Sequence, residues 1–370
     1  MFFCKIIIFY YKQITSSDII YLIVEVFLKM KCVAIKGKKL LEKTTIFDPK
    51  SKDGSVVMDI KKAGICGSDI HYWDIGMPEG LVMGHEFCGV VTDPGSRKDL
   101  KVGDRVTALP ISPCGECLAC KTGNPQYCPN TWNEAVGLSL NNPGGYAEKT
   151  AVRPDLVVKV PSNITDAEVA MVEPAAVGLH AVDLANIKIG DKVLVIGAGI
   201  IGDLCAMFAK MNGASYVAVS ETNEKRGKKA VSLKCADEYF DAKDENFMVN
   251  VKKECPYGFD VVFDCSGVSA AVTTALCAAR PNGTVVLVGV SMDNITIPSI
   301  ALVMHELKVF GAIGYTYEEF VQCINLMSTR KVDMLKFVDD IVGLDDVQKA
   351  FERLTSGDDN AIKILIDPRK

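Results

Sequence analysis

Long unbroken apolar runs, histidine and an excess of positive charge are all scarce in this chain. Its 370 residues include only four His and two Trp, and 41 Lys+Arg fall short of 46 Asp+Glu, for a formal net charge of −5. Nucleic-acid binding leaves a basic footprint, so an acidic chain with no basic helix argues against a nucleic-acid partner. No stretch approaches the ~20 apolar residues of a membrane-spanning helix, which argues against a membrane partner. Two shorter apolar runs, 6–11 and 19–28, are separated by the polar stretch 12–18, and Glu25 interrupts the second. One lysine before the first run and no small-residue cleavage site after it make a poor secretory signal. Residues 1–29 hold no arginine, which argues against a transit peptide. They read as a dispensable leader ahead of Met30, where MKCVAIKGKKL opens a first strand.

Cysteine is plentiful instead. There are 14, and Cys114, Cys117, Cys120 and Cys128 fall within the one stretch CGECLACKTGNPQYC. A long chain without a secretory signal points to a reducing, cytoplasmic setting and to metal binding in preference to a disulfide framework. Four thiols at CxxCxxCx₇C spacing, with turns at Pro113, Gly115, Gly123 and Pro125, match the closed Cys₄ site of structural zinc. Thiol exchange is the alternative use of CxxC.

The stretch 64–86, GICGSDIHYWDIGMPEGLVMGHE, gathers Cys66, Ser68, His71, His85 and Glu86. Thiolate, imidazole and carboxylate are the ligands zinc favours, and a catalytic site uses three and leaves a position open. The glycine before His85 and Glu86 lets the backbone turn tightly. The competing reading is a strand with a small buried Cys. Around it, residues 30–161 carry strand patterns at 56–60, 87–92 and 102–108 between turn signals, the texture of a β-rich body. Glu173 stands directly before Pro174 in MVEPAAVGLHAV, ahead of a helical pattern reaching 185.

From Lys192 the texture changes. KVLVIGAGIIGDLCAMFAKMNGASYVAVSE reads as buried strand, glycine turn, helix and second strand, with Gly197, Gly199 and Gly202 forming GxGxxG at the junction. Those glycines allow the tight turn, the approach of a pyrophosphate and close helix–strand packing. Glu221, 19 residues beyond Gly202, is placed to hydrogen-bond an adenosine ribose and to repel a 2′-phosphate, favouring NAD over NADP. Lys225 and Arg226 nearby could be solvated helix residues or could tolerate a phosphate. Strand patterns at 259–264 and 283–290, separated by helices, complete a doubly wound parallel sheet. Helices are expected at 317–326 and 345–354 and a closing strand at 361–366.

GICGSDIHYW, GHE, the CxxCxxCx₇C lobe, VEPAAVGLHA and GAGIIG, in that order, resemble the zinc-dependent medium-chain dehydrogenase/reductase family, and within it the sorbitol, butanediol and threonine dehydrogenase branch. The resemblance implies an α/β protein with a GroES-like β-rich catalytic domain at 30–176, a Rossmann domain at 177–315 and a return to the catalytic domain at 316–370. It implies two zinc ions per chain and NAD. Cys66, His85, Glu86 and Glu173 would hold the catalytic zinc, and Ser68 and His71 would relay a proton. Gly197, Gly199, Ile200, Ile201, Gly202, Glu221, Arg226 and Val288 would contact the cofactor. The implied reaction is hydride transfer between NAD and a secondary alcohol, with a vicinal diol or polyol as substrate. L-Threonine 3-dehydrogenase and a non-catalytic cofactor-binding member are the alternatives. Gly314 stands where sorbitol dehydrogenases place a substrate-binding arginine, a departure that favours the butanediol type. A homodimer or homotetramer is implied through the Rossmann edge strand, read as 283–290.

Overall fold

The structure, a computed structural model, describes residues 29–291, 294–297 and 299–370. The expected leader therefore lies outside the described residues except for Lys29, which opens the first strand. Strands β1 (Lys29–Gly37) and β2 (Leu40–Phe47) form an antiparallel hairpin. The first large sheet takes β3 (Val56–Gly64), β4 (Glu86–Asp93), β5 (Arg105–Ala108), β6 (Lys149–Val152) and β7 (Val157–Lys159). It is completed from the far end of the chain by β14 (Asp340–Val342) and β15 (Ile364–Ile366), in the order β14-β15-β3-β4-β5-β7 with β6 on β3. The strand read at 102–108 begins only at Arg105, because Val102 and Gly103 form an exposed turn.

The second sheet holds β8 (Lys192–Ile196), β9 (Tyr216–Glu221), β10 (Glu238–Asp241), β11 (Phe259–Asp264), β12 (Ala279–Leu287) and β13 (Lys308–Gly311). Its order is β10-β9-β8-β11-β12-β13, parallel throughout, so strand order reverses at β8. Dinucleotides bind at such a switch point, outside the carboxyl ends of the strands. The edge strand was expected at 283–290, and this is corrected. Residues 283–287 of it lie in β12, flanked by β11 and β13, and among the described residues the edge is β13. The physical reason is visible in the residues: the apolar run of β12 is buried on both faces, the signature of an interior parallel strand.

Four helices matter for the site: α1 (Gly67–Ile75), α2 (Val172–Ala185), α3 (Ile200–Met211) and α4 (Glu224–Ser232). Helix α1 is the departure from an all-β first body. Its sequence, GSDIHYWDI, buries only Asp69 and Trp73, so it carries little helical periodicity to read. Helix α2 starts one residue before Glu173, placing Glu173 and Pro174 in its first turn, where a missing N–H costs nothing. Among the described residues no helix is long and apolar enough to cross a membrane.

Candidate active site

Three elements deliver the first cluster. Cys66 precedes α1, His85 ends the loop after Gly84, whose φ is +97°, and Glu86 is the first residue of β4. One ligand atom from each of Cys66, His85 and Glu86 lies within 4.8 Å of the others. Gly64 pairs with Glu86 across the sheet, and a Cβ there would fall 1.9 Å from Glu86 Oε2, so the glycine is the space that the carboxylate occupies. Ser68 Oγ donates to Cys66 Sγ at 3.3 Å and lies 3.4 Å from His85 Nε2. His71, three residues further along α1, is exposed. Positions three apart share a helix face.

The field in this cluster favours a cation. Burial opposes a charged imidazole, yet Asp69 and Cys66 together lift His85 well above its ordinary value. Groups that hold a proton there also favour a divalent metal. Glu86 Oε1 is buried with no hydrogen-bond partner, a lone pair free for such an ion. Glu173 is pushed up to about 7 by burial, with Glu86 adding to the rise and His85, the Tyr315 hydroxyl and Lys363 opposing it. Its Oε1 accepts a hydrogen bond from Tyr315 at 3.0 Å. Glu173 is not among the three converging ligand groups.

Sequence reasoning missed three partners. Asp69 is fully buried: Oδ1 lies 3.4 Å from His85 Nδ1, and Oδ2 accepts from Tyr146 at 2.7 Å and from the Cys66 N–H at 3.0 Å. Lys363 is fully buried and pairs with Glu86 Oε2, while donating to Ile65 O at 2.9 Å. Tyr315 is the third. A signal existed for Lys363, a lone cation in the apolar run AIKILI, and for Asp69, which stands three residues after Cys66 at a helix start.

The second cluster is the lobe of Cys114, Cys117, Cys120 and Cys128, whose sulfurs also lie within 4.8 Å of one another. Cys117 and Cys120 are 3.6 Å apart at sulfur, as are Cys114 and Cys128. That is close to the ~3.8 Å edge of a tetrahedron with bonds of ~2.3 Å to zinc. Backbone N–H groups of Cys114 and Asn130 point at Cys128, and the first of these does most to pull its thiol down to about 6. Glu116 and Cys117 N–H groups lower Cys114 in the same way, whereas burial pushes Cys120 up to about 12. Such a nest of donors prepares thiolates for a metal.

At the dinucleotide turn, Gly199 caps α3, and Ile200 and Ile201 begin it. A Cβ on Gly202 would meet Gly197 O at 1.8 Å, so helix and turn approach closer than any side chain allows. Glu221 Oε2 accepts the Ala198 N–H at 2.8 Å, tying the end of β9 to that turn. Val288 N donates to Asp264 O at 2.8 Å at the carboxyl end of the sheet. Arg226 instead directs Nη2 to Leu354 O at 2.8 Å. Gly202→Ala is expected to cost about 1–3 kcal/mol of stability by overpacking and to weaken NADH binding; thermal melts and calorimetric titration check both, and an unchanged affinity would detach the turn from the cofactor.

Known proteins resemble this chain in sequence and in fold. Residues 52–162 match the family description "Alcohol dehydrogenase GroES-like domain", and residues 201–329 match "Zinc-binding dehydrogenase". D-xylulose reductase A of Aspergillus oryzae is 32% identical over 86% of this chain and 91% of its own. The crystal structure of 2R,3R-butanediol dehydrogenase from Bacillus subtilis superposes with a TM-score of 0.81 at 29% identity, covering 92% of this chain and 99% of that one. An Escherichia coli oxidoreductase/dehydrogenase of unknown specificity reaches 0.85 at 28% identity, with coverage of 92% and 99%. Two convergent ligand clusters, a glycine turn at the switch point and these likenesses lead to one conclusion: the chain belongs to the zinc-dependent medium-chain alcohol dehydrogenase family, as an oxidoreductase of CH–OH groups that uses zinc and a nicotinamide dinucleotide.

Proposed function

We propose that this chain oxidises and reduces a small vicinal diol or polyol with NAD. The observation that carries the reading is the convergence of Cys66, His85 and Glu86 within 4.8 Å, with the Ser68 hydroxyl turned into the same cluster. When bound, zinc would supply Lewis acidity toward the substrate oxygen and the nicotinamide would supply the hydride chemistry. The chain's own residues do the rest. Cys66, His85 and Glu86 hold the metal, and Lys363 and Asp69 fix the orientation of Glu86 and His85. Glu173, steadied by Tyr315, is a fourth ligand or faces the metal through water. Ser68 Oγ accepts the substrate's hydroxyl proton as it releases its own toward exposed His71, which gives a proton up to solvent. Cys114, Cys117, Cys120 and Cys128 hold a second zinc with a structural role.

The relatives support the substrate class. Xylulose is a ketopentose whose reduction gives a pentitol, and butanediol is a vicinal diol. Gly314 supports a small substrate without an arginine contact: a Cβ there would already stand 3.1 Å from Gln126 Cβ and 3.6 Å from the Trp132 ring. A threonine substrate finds no support in these likenesses. Retention of Cys66, His85, Glu86 and Glu173 argues against a non-catalytic role. The division into 30–176, 177–315 and 316–370 is part of the same reading, supported by β14 and β15 joining the first sheet. A homodimer or homotetramer would form through β13, the edge strand among the described residues, with Phe310 exposed and an outer side that can pair across a two-fold axis. A cytoplasmic setting is supported by the described cysteines, all free.

The test is NAD reduction by chelator-washed and zinc-restored protein with butanediol, sorbitol, xylitol and threonine. Zinc-dependent turnover of a diol or polyol is expected, and none with threonine. Turnover of threonine alone would reverse the substrate assignment. No turnover with both zinc sites filled would sink it.

A further inference from the structure

Beyond Glu221 the chain enters α4, and the start of that helix is held by a segment from the opposite end of the sequence. Asn223 Nδ2 donates to Gly357 O at 2.8 Å and to Asp359 O at 3.1 Å. Lys225 Nζ donates to Asp358 O at 2.7 Å, and Arg226 Nη2 to Leu354 O at 2.8 Å. The segment is itself pinned, because Asp359 accepts from Arg353 Nε at 2.6 Å and from the Ala361 N–H at 2.9 Å. These bonds sit directly beside the acid: Glu221 Oε1 accepts the N–H groups of Thr222 and Asn223 at 2.7 and 2.9 Å.

A 2′-phosphate on a ribose next to Glu221 would face a carboxylate and would need cations to offset it. Lys225 and Arg226, four and five residues after Glu221, are the cations that the chain places there. Both spend donors on main-chain carbonyls of 354–358, which fixes the direction of their side chains. Arginine loses most by this, since its planar fork meets a phosphate only in the right orientation.

We propose that segment 354–360 is a cofactor-selectivity element: by holding Lys225 and Arg226 on its carbonyls, it keeps them from the place a 2′-phosphate would take, so NADP is rejected by the segment and by Glu221 together. This rests on the reading of Glu221 as the ribose-binding acid. Glu221 supplies repulsion, and the segment withholds the compensating charge. Neither change alone then opens the site to NADP. The two are coupled, although Asp359 and Glu221 lie 138 positions apart in the sequence.

The experiment is calorimetric titration of NADH and NADPH into the zinc-loaded full chain, as wild type, Glu221→Ala, Asp359→Ala and the pair. Wild type is expected to bind NADH more tightly, and Asp359→Ala to leave NADH affinity unchanged. The pair is expected to bind NADPH more tightly than the product of the single effects by roughly tenfold, the worth of one released charge-assisted hydrogen bond. Adding Arg226→Ala to the pair should remove that gain. Single effects that simply multiply would overturn the proposal while leaving Glu221 its role. Tighter NADPH binding by wild type would overturn both. Should thermal melts show Asp359→Ala unfolded, Arg353→Gln breaks the same pair from its other side.

Discussion

Cys66→Ser is expected to lower kcat/KM for any alcohol by roughly a thousandfold or more, about 4 kcal/mol of transition-state stabilisation, while the fold stays in place. A serine hydroxyl stays protonated near neutrality and is a far weaker zinc ligand than a thiolate. His85 and Glu86, even with Glu173 beside them, would not retain the ion without the thiolate. The helix that Cys66 introduces survives the change, because a serine also caps a helix, the Cys66 N–H is held by Asp69 Oδ2 at 3.0 Å, and Tyr146 anchors the same carboxylate. Metal analysis should therefore fall from two zinc ions per chain to one, with an unchanged far-ultraviolet spectrum. Loss of activity with both ions retained would show that Cys66 acts in some other way.

What could be read from sequence here was what lies within a short window. CxxCxxCx₇C and GxGxxG are local because they close within fifteen and six residues, and the structure gathers those same sulfurs and glycines. Cys66, Ser68, His85 and Glu86 were legible for the same reason. The partners that orient them were not. Lys363 is 277 positions from Glu86, and Tyr315 is 142 from Glu173. A periodic pattern reports which face of its own element a residue occupies, never which distant element meets that face. The edge strand shows the opposite failure. A long apolar run drew attention to 283–290, but such a run marks a strand covered on both faces, while the true edge is the four-residue β13. For Arg226 the resemblance implies a cofactor contact, and only the fold shows that its guanidinium also donates to Leu354 O.

Lys363 also carries the larger of the stability predictions. Its ammonium and the Glu86 carboxylate are 0% and 1% exposed, and no water reaches either to replace a lost partner. Lys363→Met keeps the volume and removes the charge, leaving Glu86 buried beside the neutral end of a thioether and Ile65 O without its donor. Breaking a buried pair from one side costs about 3–5 kcal/mol, whereas replacing both partners is often close to neutral. The zinc-free variant is therefore expected to melt roughly 5–10 °C below wild type, and Lys363→Met with Glu86→Gln to recover most of that loss. Zinc adds a further discriminator. A divalent ion on Glu86 supplies the positive charge that the lysine gave, so the gap between variant and wild type should narrow when metal is added. A gap that does not change with zinc would mean that Lys363 is held for packing alone. Equal melting of the zinc-free proteins would mean that the ion pair contributes nothing, and the orientation of Glu86 would then have to come from the sheet and the space at Gly64.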